Sequence, residues 1–338
     1  MKLLSGTRYL LLVILFLVFC NKNSKEINEY ADLMSKHPAT EDSNYPQKVG
    51  SWTNRVFNID KDRISYIKEI NEIDGFSEIP SETESMQDMK TKIELVSKSF
   101  HPNVRDIFDK YIYAIYFCEN LGGTGITGFV YDSKTALPVG GFIIIDAGVI
   151  KKKANDWISY KENTAFFKTE TNLTIKIENE KDNTIENSIR YILLHEMGHI
   201  ISNVYKITPD FRDKYWEFKH PFFRDVWRPK KISIYDQDLF LLRSKIIFYA
   251  EKSKLIDLDK NWDKVYPTLY LTNFPTLYAA TNVQDHFAET FVSYIHCIID
   301  GRPWELSISR DDRVIFTMKN RISEMEVEKE FIRKIIFE

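Results

Sequence analysis

The chain has 338 residues, 43% of them hydrophobic and 14% aromatic, which is the composition of a folded globular protein and excludes a disordered chain. Its length is enough for one large domain or two modest ones. The formal net charge of -3 at pH 7 leaves no overall basic field, which argues against nucleic acid as the main partner.

The first 20 residues have the pattern of an export signal. An apolar run from Tyr9 to Phe19 follows a basic start and is too short to span a membrane comfortably. The run ends at Cys20 and turns polar at once, which resembles a bacterial lipoprotein signal, although Phe19 stands where a small residue is usual. We therefore predict an exported protein, anchored at the cell envelope or outer surface through a lipidated Cys20. An uncleaved anchor and an ordinary cleaved signal stay open as alternatives.

Residues 21–50 are polar, and the pairs His37-Pro38 and Tyr45-Pro46 interrupt any helix there. This composition predicts a tether between the anchor and a folded body. The remaining residues, 51–338, are predicted to form one domain of the α+β class.

Helix and strand patterns follow one another along this domain. A helix is predicted from Glu84 to Phe100, where apolar residues recur at three- and four-residue spacing. Four strand-like runs come next, at 111–117, 126–131, 139–146 and 173–177. They predict a small mixed sheet that precedes a further helix beginning near residue 185.

Residues 207–277 are rich in aromatic side chains, and we predict an inserted helical subdomain there. Aromatic residues at such spacing usually belong to a core, so we favour that role over lining a substrate site. The rings concerned are those of Phe211, Tyr215, Trp216, Phe218, Phe222, Phe223, Trp227, Tyr235, Phe240, Phe248, Tyr249 and Trp262.

Two cysteines remain in the predicted domain, Cys118 and Cys297. An even pair in an exported protein allows one disulfide. Both residues also lie in apolar runs, so two buried free thiols are an equal alternative.

The run from Ile192 to Ile201 contains His195, Glu196 and His199 at the spacing of a hydrolytic zinc site. On a helix, positions i and i+4 project from one face, so both histidines can bind one ion while Glu196 lies beside it. Gly198 in this helix costs about 1 kcal/mol against alanine, which predicts a close approach by another backbone or by a substrate. The alternative is a surface His/Glu pair on an ordinary helix.

A catalytic zinc ion takes three protein ligands, so a further carboxylate or histidine is needed downstream. Asp285 and Glu289 lie four residues apart at the start of a predicted helix, which Thr281 or Asn282 can cap. One carboxylate can bind zinc while the other orients a ligand histidine.

The two runs together resemble the catalytic domain of the anthrax lethal factor and Pro-Pro endopeptidase group. The resemblance covers about residues 185–294 and rests on His-Glu-x-Gly-His followed by Tyr278, Thr281-Asn282, an acidic residue and Phe287-Ala288-Glu289. It implies a zincin-like fold, with a small mixed sheet and an active-site helix, and Zn²⁺ as the cofactor.

The resemblance also implies roles for individual residues. His195, His199 and Asp285 are expected to bind zinc, Glu196 to act as general base and Tyr278 to stabilise the oxyanion. Asp285 stands where the family has glutamate, and the span from His199 to Asp285 is longer than the family leads us to expect. We predict Asp285 as the third ligand. Glu289 stays open as the alternative third ligand or as the carboxylate that orients a ligand histidine.

Three other histidines receive different predictions. His286 is a rival ligand by residue type, but it is expected to face away from the metal, as a surface or wall residue. His296 is expected to be a satisfied core histidine, with a position beside the metal ligands as the alternative. His220 is expected to be a loop residue, with a role near the transition state as the alternative.

The resulting hypothesis is an exported, lipid-anchored zinc endopeptidase, in which Glu196 takes a proton from a water molecule that zinc activates. A protein or peptide substrate is expected to pair with an edge strand near the metal helix, with Gly140 to Ile145 as a contributor. The main alternative is a non-catalytic surface lipoprotein that keeps a relic zinc site and acts as a binding or adhesion module. Zinc-dependent hydrolysis of a non-peptide bond is a third hypothesis.

Overall fold

The computed structural model describes residues 26–229 and 231–338. The predicted signal segment 1–20, with Cys20, lies outside the described residues. The described α-helices are α1 (Ala31–Lys36), α2 (Lys61–Asp74), α3 (Met86–Ser99), α4 (Pro102–Tyr111), α5 (Ala154–Asn163), α6 (Ile185–Val204), α7 (Leu258–Leu269), α8 (Val283–Ser293) and α9 (Glu326–Phe337). None of these helices is both long enough and apolar enough to cross a membrane.

The strands form one main sheet and several smaller ones. They are β1 (Glu26–Ile27), β2 (Val56–Asn58), β3 (Ile112–Cys118), β4 (Gly125–Tyr131), β5 (Pro138–Asp146), β6 (Phe166–Phe167), β7 (Asn172–Lys176), β8 (Tyr215–Trp216), β9 (Trp227–Arg228), β10 (Ile232–Ser233), β11 (Ile256–Asp257), β12 (Glu305–Arg310) and β13 (Arg313–Lys319). The main sheet has the order β2-β3-β5-β4, in which β4 alone is antiparallel to its neighbour.

Alternating side chains of the central strands point to opposite faces of this sheet and build a core on each side. Ile115, Phe117 and Ile143 join the cluster that contains helices α3, α4 and α6. Tyr116 and Phe142 join the cluster on the other face, beneath α2 and the N-terminal segment. Helix α6 is therefore buried against the sheet, next to its β4 edge.

The predicted α+β class is confirmed, and so are the three strand predictions that fall on β3, β4 and β5. The fourth prediction, 173–177, falls on β7, which belongs to a separate antiparallel sheet with the hairpin β12-β13. The predicted contribution of Gly140 to Ile145 to an edge strand is wrong, because these residues lie in β5, between β3 and β4. The sheet edge near helix α6 belongs to β4, and its last residue, Tyr131, is bridged on that side by Glu41.

The predicted helix at Glu84 to Phe100 corresponds to α3, but α4 follows it at once where the sequence indicated a stop. Pro102 occupies the first position of α4, which needs no backbone donor, and the ring of His101 accepts a hydrogen bond from Asn103 N at 3.3 Å.

The predicted tether does not have the structure of a tether between residues 26 and 50. Helix α1 and two short 3-10 turns form there, and Leu33, Met34 and Tyr45 are buried against the outer face of the main sheet. The guanidinium of Arg63 lies 4.6 Å from the centre of the Tyr45 ring. The segment folds because its few apolar side chains cover a sheet face that would otherwise be exposed to water.

The predicted helical insertion at 207–277 is mostly irregular. Within its described residues, Leu258–Leu269 is the one α-helix, and the rest consists of turns, short 3-10 helices and two-residue strands. The expected core role of its aromatic residues is confirmed for Phe223, Trp227 and Phe240, which belong to the same core cluster as helix α6. Buried rings, together with the buried face of Leu258–Leu269, fix this segment to the domain.

Cys118 and Cys297 are both free thiols. Cys118 is buried at the end of β3, and Cys297 is half-buried in the turn of π-helix that follows α8. Of the two alternatives that the sequence left open, the structure therefore shows free thiols and not a disulfide.

Candidate metal centre

Helix α6 presents the two histidines from a rigid, buried position. Thr184 caps its start by accepting a hydrogen bond from Asn187 N at 3.3 Å, and most of its residues are buried in the core. His195 and His199 project from one face, one turn apart, and their Nε2 atoms lie 3.1 Å from each other.

Helix α8 presents Asp285 from the opposite side. Asn282 caps this helix by accepting a hydrogen bond from Asp285 N at 2.8 Å. The Asp285 Oδ2 atom accepts hydrogen bonds from Asn282 Nδ2 at 2.6 Å and from Thr281 Oγ1 at 3.0 Å. Its other oxygen, Oδ1, lies 3.6 Å from His195 Nε2 and 3.5 Å from His199 Nε2.

The short aspartate side chain reaches the histidines because the two helices pack very closely. A Cβ atom added at Gly198 would lie 2.7 Å from Ala288 Cα, a distance that real Cβ atoms do not show. The predicted close approach at Gly198 is confirmed, and the approaching backbone is that of α8.

The three donor atoms fit a tetrahedral metal site. Zinc bonds of about 2.0–2.2 Å place neighbouring donors of a tetrahedron about 3.3–3.6 Å apart. The donor triangle has edges of 3.1, 3.5 and 3.6 Å, and its members are largely shielded from solvent. Within residues 26–229 and 231–338, one group of three His, Cys, Asp or Glu side chains could hold a metal ion, and it consists of His195, His199 and Asp285.

Glu289 lies away from that triangle and contacts the far side of the His195 ring. Its Oε1 is 3.0 Å from His195 Nδ1 and 2.8 Å from Lys161 Nζ, and its Oε2 accepts a hydrogen bond from Thr276 Oγ1 at 2.8 Å. Burial raises the pKa of Glu289, but Lys161 and His195 outweigh it and lower that pKa to about 2. A charged Glu289 therefore lies against the His195 nitrogen that faces away from the donor triangle, which is where the partner of a ligand histidine is usually found.

Lys161 is a functional candidate that the sequence analysis missed. Its ammonium group, on the buried face of α5, is paired with Glu289 and lies 3.7 Å from the centre of the Tyr278 ring. Burial acts to lower the pKa of Lys161, but the Glu289 charge raises it above its ordinary value. The signal was present, because Lys161 continues the apolar stripe of Ala154, Trp157 and Ile158 at helical spacing.

Glu196 and Tyr278 face the same cleft. They line two adjoining cavities of about 210 and 690 Å³, which also share His195 and the first residues of β4. Thr127 Oγ1 donates a hydrogen bond of 2.7 Å to Glu196 Oε2. Burial, followed by the charge of Asp285, raises the pKa of Tyr278 well above its ordinary value, so its hydroxyl stays protonated.

The remaining histidines stand apart from the centre. The expectation of a surface or wall position for His286 is wrong: its ring is buried, accepts from Trp227 Nε1 at 3.1 Å and donates to Asn273 O at 2.9 Å. His296 is a satisfied core histidine, as predicted, with Ile177 O 2.9 Å from its Nε2. His220 lies in a turn, also as predicted.

Comparison with known proteins adds no relative. No protein-family model, no curated protein and no solved structure matches this chain.

Proposed function

We propose that the protein is a zinc-dependent endopeptidase with a zincin-like catalytic domain, of the kind found in the lethal factor and Pro-Pro endopeptidase group. The observation that carries the proposal is the convergence of His195, His199 and Asp285 Oδ1 at metal-ligand distances beside Glu196, in one cleft. A surface His/Glu pair on an ordinary helix, which is the alternative, would have no reason to meet a carboxylate from a second helix.

His195, His199 and Asp285 would hold the Zn²⁺ ion, and Glu289 would orient His195. When bound, zinc supplies a Lewis acid that polarises a carbonyl group and lowers the pKa of a water molecule to about 7. The capped carboxylate of Asp285 leaves Oδ1 free for the metal, since its Oδ2 is occupied by Thr281 and Asn282.

Glu196 acts as general base and then as general acid. It takes a proton from the attacking water and passes it to the leaving amide nitrogen, which needs a carboxylate within reach of both. Tyr278 donates a hydrogen bond to the developing oxyanion, for which its protonated hydroxyl is suited.

The cleft suits an extended polypeptide. On the side away from β5, strand β4 pairs at Tyr131, which forms a bridge with Glu41, and no other pairing is described there. Its residues Gly125, Ile126, Thr127 and Phe129 line the larger cavity. A substrate strand can add to this edge by backbone hydrogen bonds. The two cavities that meet at Glu196 and Tyr278 give room on both sides of the scissile bond, which favours internal over terminal cleavage.

The proposal includes export and attachment to the membrane through a lipidated Cys20. Its support is the sequence pattern of residues 1–20 alone. Acylation of Cys20 in the native host, measured by mass spectrometry of the N-terminal peptide, tests it: an unmodified Cys20 excludes the lipid anchor.

The activity is tested by zinc analysis and digestion of a peptide library. We expect one zinc ion per chain, cleavage at internal bonds, loss of cleavage with a chelator and recovery with added Zn²⁺. A protein that binds zinc but cleaves no member of the library would favour the alternative of a non-catalytic binding module.

A further inference from the structure

Glu196, the proposed general base, lies against the edge strand β4. The motifs that identified Glu196 in the sequence do not include this strand. Gly125 and Thr127 are two residues apart on β4, so both face helix α6. Thr127 Oγ1 lies 2.7 Å from Glu196 Oε2, and a Cβ atom added at Gly125 would lie 2.9 Å from Glu196 Oε1. The strand therefore donates a hydrogen bond to one oxygen of the carboxylate and leaves room for the other.

The two contacts differ in chemistry. Thr127 offers Oε2 a hydroxyl donor, and among the described residues no other side chain donates to this carboxylate. Gly125 offers Oε1 only empty space, which an alanine methyl group would occupy. Both positions also line the cleft.

We propose that Thr127 is a positioning residue for Glu196, and that Gly125 leaves the room this position requires. The Thr127 hydroxyl fixes Oε2, so that Oε1 is the oxygen that takes the proton from water and delivers it to the leaving nitrogen. This inference rests on the proposed peptidase function, because positioning matters only if Glu196 acts on a substrate.

A carboxylate that is free to rotate spends part of its time out of line with the attacking water. Misplacement of a reacting group by about 1 Å can cost about 100-fold in rate. A hydrogen bond to a charged group contributes enough free energy to suppress such rotation. The rate of the chemical step, and not substrate affinity, is therefore the quantity that Thr127 controls.

A simpler role for the contact is structural. Thr127 Oγ1 is also 3.1 Å from the backbone oxygen of Glu196, so the hydroxyl could serve only to join strand β4 to helix α6. A structural role predicts that loss of the hydroxyl lowers the stability of the protein and reduces kcat, bound zinc and substrate affinity together. A positioning role predicts a change in kcat with bound zinc and substrate affinity retained.

The test compares the wild type with Thr127→Val, Thr127→Ser and Gly125→Ala, with Thr174→Val as the matched control. Thr174 is an exposed residue of β7, which is likewise an edge strand. We expect Thr127→Val to lower kcat about 10- to 100-fold, with KM within about twofold and full zinc content. Thr127→Ser should restore at least half of kcat, and Gly125→Ala should lower kcat as Thr127→Val does.

The positioning proposal is overturned if Thr127→Val has the kcat of the wild type, or if Thr127→Ser loses as much kcat as Thr127→Val. In both cases the peptidase function still stands. A wild type that cleaves nothing rejects the peptidase function. In that event crystal structures at high resolution still decide the positioning: Glu196 should occupy one conformer in the wild type and Thr127→Ser, and several in Thr127→Val. A single unchanged conformer in Thr127→Val contradicts it.

Discussion

At the scale of the residue, two carboxylates one helical turn apart have different partners. Asp285 Oδ1 faces the histidine Nε2 atoms, whereas Glu289 contacts His195 Nδ1 and Lys161. The sequence placed both on one helix face and, through the family resemblance, favoured Asp285 as the ligand, but it left Glu289 open as the alternative. The choice depends on how closely α8 approaches α6 and on a lysine from a third helix, neither of which a motif records.

The two carboxylates should therefore respond differently to removal of their charge. We expect Asp285→Asn to lose most of its bound zinc, because one of three ligands is weakened. Glu289→Gln should retain zinc with affinity lower by about 10- to 100-fold, as is usual when the partner of a ligand histidine is removed. Competition with a chromogenic chelator measures both. Equal loss in the two variants would contradict the assignment.

Lys161 and Glu289 form a buried ion pair, so removal of one partner should lower the free energy of unfolding more than removal of both. Lys161→Met leaves the Glu289 charge buried beside His195 and should lower the free energy of unfolding by about 3–5 kcal/mol. The double variant Lys161→Met, Glu289→Gln should recover part of that loss. Urea unfolding followed by circular dichroism measures the cycle, and additive losses would contradict a direct pairing.

At the scale of the element, the site is built where α6 and α8 cross and where β4 ends the main sheet. Thr184 and Asn282 set the starts of the two helices, and Gly198 sets their distance. The helix α6 and strand β4 were predictable because hydrophobic period and capping residues are local signals. The position of β4 at the sheet edge was not, because strand order depends on contacts between distant residues.

Helix spacing at Gly198 should control metal binding. Gly198→Ala places a methyl group 2.7 Å from Ala288 Cα, so α8 must move and carry Asp285 away from the histidines. We expect weaker zinc binding and lower thermal stability, measured by chelator competition and by scanning calorimetry. Gly123→Ala is the control, since a Cβ atom at Gly123 has nothing within 4 Å. Unchanged zinc affinity in Gly198→Ala would show that the helix spacing is not limiting.

At the scale of the whole molecule, the N-terminal segment and the aromatic-rich segment 207–277 both belong to the folded body that contains the candidate metal centre. The sequence suggested a tether because residues 21–50 are polar and interrupted by proline, and a helical insertion because residues 207–277 are rich in aromatic side chains. In the structure, residues such as Tyr45 and Trp227 are buried singly by contacts with distant elements. Such burial leaves no local pattern, and single-sequence analysis cannot detect it.

The N-terminal segment should be required for stability. A variant that begins at residue 51 loses Leu33, Met34 and Tyr45 and exposes the outer face of β4 and β5. We expect it to aggregate or to melt well below the variant that begins at residue 26. The melting temperatures, measured by light scattering and circular dichroism, should differ by more than about 10 °C. Equal melting of the two variants would restore the tether hypothesis.

The proposed function requires Glu196 to act as the base in peptide hydrolysis beside a zinc ion held by His195, His199 and Asp285. Glu196→Gln keeps the size of the side chain and all three donors, and removes only the base. This role of Glu196 is tested by digestion of one peptide library with the zinc-loaded wild type and with zinc-loaded Glu196→Gln. We predict equal zinc content and a loss of turnover of at least about 1000-fold in the variant. Cleavage by Glu196→Gln at the wild-type rate would contradict the account.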